Sequence, residues 1–273
     1  MECKYEGFYI MRFLIICCLF AVATTPVFAQ NQPRPPFSPQ TMQDTEDGEP
    51  PKFTARQLKK WERSMNRFTD LYDSSLDVVL ENETPRNLRN NVRRLRAYYS
   101  HSEYYTPFAD NLLDRITGFA YTVDTSEDRS EVLEALKKYR ELVHTHLPNY
   151  DVLKFAHTMS RLNPQFGNAS FYREVLSIIQ TDLKDRPSPC TVPNMACPIV
   201  SYGEETYLLK VYTSKVYKSE IYNVGHKYFN VHDAVDKQGN SIQLYMDVTS
   251  PIYNIQKMKA LKQKEENINI PRR

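Results

Sequence analysis

The residues best able to do chemistry are few. Six histidines occur, His101, His144, His146, His157, His226 and His232. Only His144-Thr145-His146 is a close pair. It falls on a predicted helix, where residues two apart point about 200° away from each other and cannot grip one ion. Fraying before Pro148 would be needed to bring His157 in as a third ligand, so the expectation is of no metal and no cofactor. A second group lies on one predicted face of the final hairpin: Tyr228, Asn230, His232, Gln243, Tyr245 and Asp247. Rings beside amides and an acid can stack on and hydrogen-bond a glycan or a peptide. Within that group, His232 and Asp247 are the pair suited to acid–base work, provided they lie within hydrogen-bond reach or one water apart. No His-Glu-x-x-His, no Gly-x-Ser-x-Gly elbow and no nucleophilic cysteine motif is present. The seven glycines are too scattered to form a phosphate-cradling loop.

Charge narrows the classes further. Lys and Arg number 35 against 33 Asp and Glu, a net charge of +2, which does not fit a whole-protein nucleic-acid binder. Hydrophobic residues make up 41% of the chain, enough for a folded core.

The elements that must position these groups divide the chain into five parts. Residues 1–29 read as a secretory signal peptide, with Lys4 and Arg12 before the apolar run 13–23 and Val27-Phe28-Ala29 before Gln30. Cleavage is expected after Ala29, and translation from either Met1 or Met11 supplies the positive end. The run falls short of the ~20 residues of a membrane span, which disfavours an uncleaved anchor. No second membrane segment is expected in the mature chain, which is placed in the periplasm or outside the cell. Removal of the leader leaves Cys190 and Cys197, which in an oxidising compartment are expected to form one disulfide, worth ~2–3 kcal/mol for so short a loop.

Residues 30–53 read as a Pro-rich disordered linker. Residues 54–186 form a helical domain with six predicted helices, near 54–81, 85–102, 107–122, 127–146, 149–162 and 168–184, joined as three antiparallel hairpins. The first carries the apolar face Leu58, Trp61, Met65, Phe68, Tyr72, Leu76 and Val79, beside Asp70, Asp73, Asp77 and Glu81. The second buries Leu88, Val92, Leu95 and Tyr99 and is flanked by Arg86, Arg89, Arg93 and Arg96. A ladder of ion pairs across this hairpin is expected, Glu81 with Arg86 or Arg89 and Asp70 with Arg96, rather than an anion site.

Residues 187–253 read as a small antiparallel sheet with the cysteine staple, its strands near 206–213, 215–222, 227–233 and 241–248. Alternation predicts that Phe229, Val231, Ile242, Leu244, Met246 and Val248 face inward, with Asp236 to Asn240 as the turn. Residues 254–273 form a basic tail in which Ile255, Met258 and Leu261 mark a short amphipathic helix. The fold class is therefore α+β.

The runs Glu205-Thr206-Tyr207-Leu208-Leu209, Lys227-Tyr228-Phe229-Asn230-Val231 and Leu244-Tyr245-Met246-Asp247-Val248, with Gly239-Asn240 between the last two, carry a resemblance. This part of the chain, 204–252, resembles the C-terminal part of an uncharacterised family of exported bacterial proteins, the domain of unknown function 4919. Asn230 stands where that family tends to have Asp. The resemblance implies an exported bacterial protein and carries no known activity or catalytic residue. Together these readings predict a non-catalytic envelope protein that binds another protein or a surface polymer. The alternative is a hydrolase of envelope material working through His232 and Asp247.

Overall fold

The computed structural model describes residues 54–81, 85–185, 190–224 and 227–268. The expected signal peptide, its cleavage site, the linker 30–53, His226 and the last five residues lie outside them.

Six helices come first: α1 (Ala55–Glu81), α2 (Pro85–Tyr99), α3 (Asp110–Thr125), α4 (Arg129–Thr145), α5 (Tyr150–Leu162) and α6 (Ala169–Lys184). Side chains set their starts. Thr54 and Gln57 form a reciprocal capping box, Thr54 N–H donating to Gln57 Oε1 at 2.8 Å and Gln57 N–H to Thr54 Oγ1 at 3.2 Å. Asp128, Asn149 and Asn168 accept from the first-turn N–H groups of α4, α5 and α6. The expected start of α3 at Pro107 is displaced to Asp110. The carbonyls that would open the helix are taken by tertiary donors: Thr106 O by Asn149 Nδ2 at 3.0 Å, and Pro107 O by Tyr202 N–H at 3.0 Å. Consecutive helices pack in pairs, α1 on α2, α3 on α4 and α5 on α6.

The second part departs from expectation in three ways. First, the predicted strand 206–213 is instead helix α7 (Tyr202–Tyr212). Second, the sheet is mixed. It contains β1 (Cys197–Pro198), β2 (Thr213–Val224), β3 (Lys227–Asp236) and β4 (Ser241–Asp247), in the order β1-β4-β3-β2. β1 pairs with β4 in parallel, whereas the other two pairings are antiparallel. Third, the tail is a helix from the end of the sheet onward, α8 (Thr249–Ile268). Pro251 falls in its first turn, where a proline costs no hydrogen bond. The β3–β4 turn is as expected, with Asp236 Oδ1 accepting from the N–H groups of Gln238 and Asn240 at 2.8 Å each, and Gly239 at φ +91°, where other residues are strained.

One hydrophobic cluster joins both parts. It runs from Tyr72, Leu95, Tyr99 and Ile116 through Leu153, Ile179 and Leu208 to Leu244, Met246, Val248 and Ile252. Cys190 and Cys197 lie inside it at disulfide distance, with Cα atoms 5.3 Å apart. Cys190 O accepts from Tyr245 N–H at 2.7 Å, which holds this segment against β4.

Tyr139 packs against Phe166 in this core with ring centroids 4.8 Å apart, yet its buried hydroxyl has no hydrogen-bond partner. An orphaned buried hydroxyl costs ~1–3 kcal/mol. Tyr139→Phe removes it at almost constant volume, so stability should rise by about 1 kcal/mol, read as a higher urea midpoint. A fall of similar size would show that the hydroxyl is satisfied in solution.

Candidate functional site

The site is built around the first turn of α7. Gly203 lets this helix end approach the Asp151 carboxylate so closely that a Cβ there would overlap it. Next come two glutamates, Glu204 and Glu205, both buried. Carboxylates suit a helix N-terminus, where unpaired N–H groups give a partial positive charge. Adjacent helical residues point about 100° apart, so the two acids reach different neighbours.

Glu204 turns to the helical part. Its Oε1 accepts from Arg96 Nε at 2.9 Å, Arg96 Nη2 donates to Oε2, and Val200 N–H donates to Oε2 at 2.8 Å. This corrects the expected ion-pair ladder, because Arg96 pairs with Glu204 rather than Asp70. Arg89 and Arg93 likewise reach across to α6, meeting Asp182 at 2.8 and 2.5 Å. Burial alone would raise the Asp182 carboxyl, but hydrogen bonds from Arg93 and Arg89, reinforced by their charges, outweigh it and hold the group below the usual carboxylate range. The side chain of Arg86 lies outside those described. Asp70, Asp73, Asp77 and Glu81 form an exposed strip on α1.

Glu205 turns to the sheet. Asn230 Nδ2 donates to its Oε1, and His232 Nε2 lies 2.7 Å from the same oxygen. On the other side of the ring, His232 Nδ1 is 2.7 Å from Ser219 Oγ, Ser219 being the cross-strand partner of His232 on β2. In the tautomer that carries its proton on Nε2, beside the carboxylate, Nδ1 is the acceptor and the serine hydroxyl the donor. The Nε2 contact is close but off-axis. Nε2, Glu205 Oε2 and Asn230 Oδ1 are all buried without a straight hydrogen bond.

The six residues expected on one face of the hairpin divide between two. Asn230 lies opposite Met246 and His232 opposite Leu244, on the face toward the core. Tyr228 shares that face by alternation, its ring 5.6 Å from Tyr253. Tyr245 and Gln243 lie opposite Val231 and Asp233 on the outer face, and Asp247 lies opposite Phe229. Each strand alternates as expected, but the pairing is offset by one residue, which moves a strand's whole set of side chains across the sheet. His232 and Asp247 therefore stand on opposite faces and form no acid–base pair. Asp247 instead accepts from Thr249 N–H at 3.0 Å, at the start of α8. Gln243 donates to Asp233 Oδ1 at 2.8 Å and accepts from Tyr245 Oη at 2.8 Å.

The paired histidines at the end of α4, His144 within it and His146 just after it, also part company. His146 Nδ1 meets Tyr99 Oη at 3.1 Å, and His144 Nε2 meets Tyr172 Oη at 3.4 Å. Among the described residues no cluster of three or more His, Cys, Asp or Glu is arranged to hold a metal. No described helix is long and apolar enough to cross a membrane.

Ser219 and Glu205 were not singled out by the sequence. The available signal was the acidic pair Glu204-Glu205 just after Ser201, the pattern of a helix start, inside a run whose aromatic and aliphatic content reads as a strand. No family model, no curated protein and no solved structure matches the chain.

Proposed function

We propose that this chain is an exported bacterial protein, periplasmic or secreted, that binds another protein or a surface polymer of the envelope, with the sheet as the recognition element. The observation that carries this reading is on β2. Val224 is 64% exposed, Tyr217 59% and Tyr222 48%, a concentration of exposed large apolar side chains not matched on any other described element. Tyr222 and Val224 share the outer face with Tyr245 and Gln243. Exposed rings beside amides fit a sugar or a protein surface better than they fit water. Export is supported by the signal-peptide pattern and the C-terminal resemblance. A cysteine pair at disulfide distance is compatible with it.

The test is capture from an envelope extract by the mature chain and by a Tyr217→Ser/Tyr222→Ser/Val224→Ser variant. Point changes are preferable to deletion of the sheet, because Leu244, Met246 and Val248 belong to the common core. The partner retained by the wild type should be lost by the variant. Equal recovery by both proteins would remove this strand as the binding element.

A further inference from the structure

We propose that Ser219, His232 and Glu205 form a nucleophilic relay that hydrolyses small acyl esters, an activity beyond the binding assigned to the outer sheet face. The arrangement has the parts such chemistry needs: a hydroxyl within hydrogen-bond reach of an imidazole, and a carboxylate at the far nitrogen. Ser219 Oγ lies 2.7 Å from His232 Nδ1, and His232 Nε2 lies 2.7 Å from Glu205 Oε1. Asn230 Nδ2 fixes that carboxylate oxygen from the side. His232 and Glu205 are each only 1% exposed, whereas Ser219 is half-buried on a strand whose outer edge has no partner among the described residues.

The carboxylate that meets the buried imidazole, and the amide that holds that carboxylate, each keep an unsatisfied acceptor. Glu205 Oε2 and Asn230 Oδ1 find no hydrogen-bond partner, an arrangement that is costly at rest and calls for an explanation. Both belong to side chains linked to the ring, Glu205 directly and Asn230 through Glu205, so they stand beside the charge the imidazole carries once Nδ1 takes a proton. The off-axis contact at Nε2 does not oppose this, since catalytic hydrogen bonds are often poorly aligned before substrate arrives.

The chemistry balances with water as the only co-reactant. Ser219 Oγ adds to the ester carbonyl while its proton passes to His232 Nδ1. The carbon–oxygen bond to the alcohol then breaks, the alcohol leaves with that proton, and an acyl-serine remains. Water, deprotonated by the same nitrogen, hydrolyses the acyl-serine to release the acid and restore the hydroxyl. β2 is the edge strand among the described residues, and its outward N–H groups are the donors available to the carbonyl oxygen. The cavities of about 640 and 240 Å³ are lined by other residues, Arg140, His144 and Phe171 in one and Tyr105, Phe108 and Met258 in the other. Neither of these cavities includes Ser219, which stands on an open strand, and a short acyl group such as acetyl asks for the least enclosure there. An ester, whose alcohol leaves more readily than an amine, asks least of an open site.

The mature protein should react with a fluorophosphonate probe at Ser219, located by peptide mass, and should hydrolyse p-nitrophenyl acetate. Ser219→Ala should abolish the adduct and lower turnover about 100-fold, with the fold retained by circular dichroism even though His232 Nδ1 loses its partner. His232→Gln gives a second reading of the relay, because it should prevent labelling of an intact Ser219. Labelling absent in the wild type, or turnover equal in wild type and Ser219→Ala, would overturn the proposal without touching the binding assigned to β2.

Discussion

Arg96→Met is expected to destabilise the protein by ~3–5 kcal/mol, the range found when one member of a buried ion pair is removed. Glu204 is fully buried and Arg96 only 16% exposed at its side chain, so neither charge can turn to water in place of its partner. Without the guanidinium, that carboxylate keeps the hydrogen bond from Val200 N–H. The consequence is structural as well as energetic. Arg96 lies on α2 and Glu204 opens the helix whose next residue contacts the sheet, so the pair links the two halves of the molecule. The pair itself is a different quantity from the loss of one half. Replacing both charges, as in Arg96→Met/Glu204→Leu, should recover most of the stability, because two well-packed apolar side chains often do as well as a buried pair. Urea unfolding of the wild type, both single variants and the double variant measures this. Additive single-variant losses with no recovery in the double would show that the two side chains do not act as a pair.

The second large effect is loss of stability in mild acid. Burial, helped by the nearby Arg115 charge and opposed by a backbone hydrogen bond at Tyr104, lowers the His146 imidazole from 6.5 to about 4. His144 is lowered in the same direction, by burial first and then by Arg140. A histidine held below its unfolded value binds fewer protons when folded than when unfolded. Stability is thus complete above pH ~6.5, falls as pH drops below that value, and stops falling through this group near pH 4. The loss attributable to His146 is ~3 kcal/mol over that window, at 1.36 kcal/mol per pKa unit. His146→Asn keeps a polar group for the Tyr99 hydroxyl, which lies 3.1 Å from the ring nitrogen, but cannot take up a proton. Its unfolding free energy should vary much less between pH 6.5 and 4, with His144 supplying the remaining slope. An unchanged pH dependence in the variant would exclude His146 as the source.

Much of the helical part is legible because its signals are local. The α2 stripe Leu88, Val92, Leu95 and Tyr99 is buried as its spacing predicts, since helical periodicity alone fixes which side chains share a face. Asn149 and the Asp236 turn act within a few residues of themselves, so short-range chemistry reveals them. The run at Tyr207-Leu208-Leu209 misleads for a different reason. Strand preference is weak beside tertiary context, and two glutamates at the start of α7 find buried partners only if that segment is helical.

The helical hairpins, the nearness of Cys190 to Cys197 and the separate alternation of β3 and β4 could all be read from neighbouring residues. How those alternations meet could not. Residues 229 to 232 of β3 are buried on both faces, so no contrast between apolar and polar sides marks which residues point to the helices. Register then rests on the offset of one strand against another. That offset put His232 beside Glu205 and Ser219 and left Asp247 on the far face. A chain records the order of its side chains along one line, whereas a relay of three groups from α7, β2 and β3 exists only once those lines have been laid side by side.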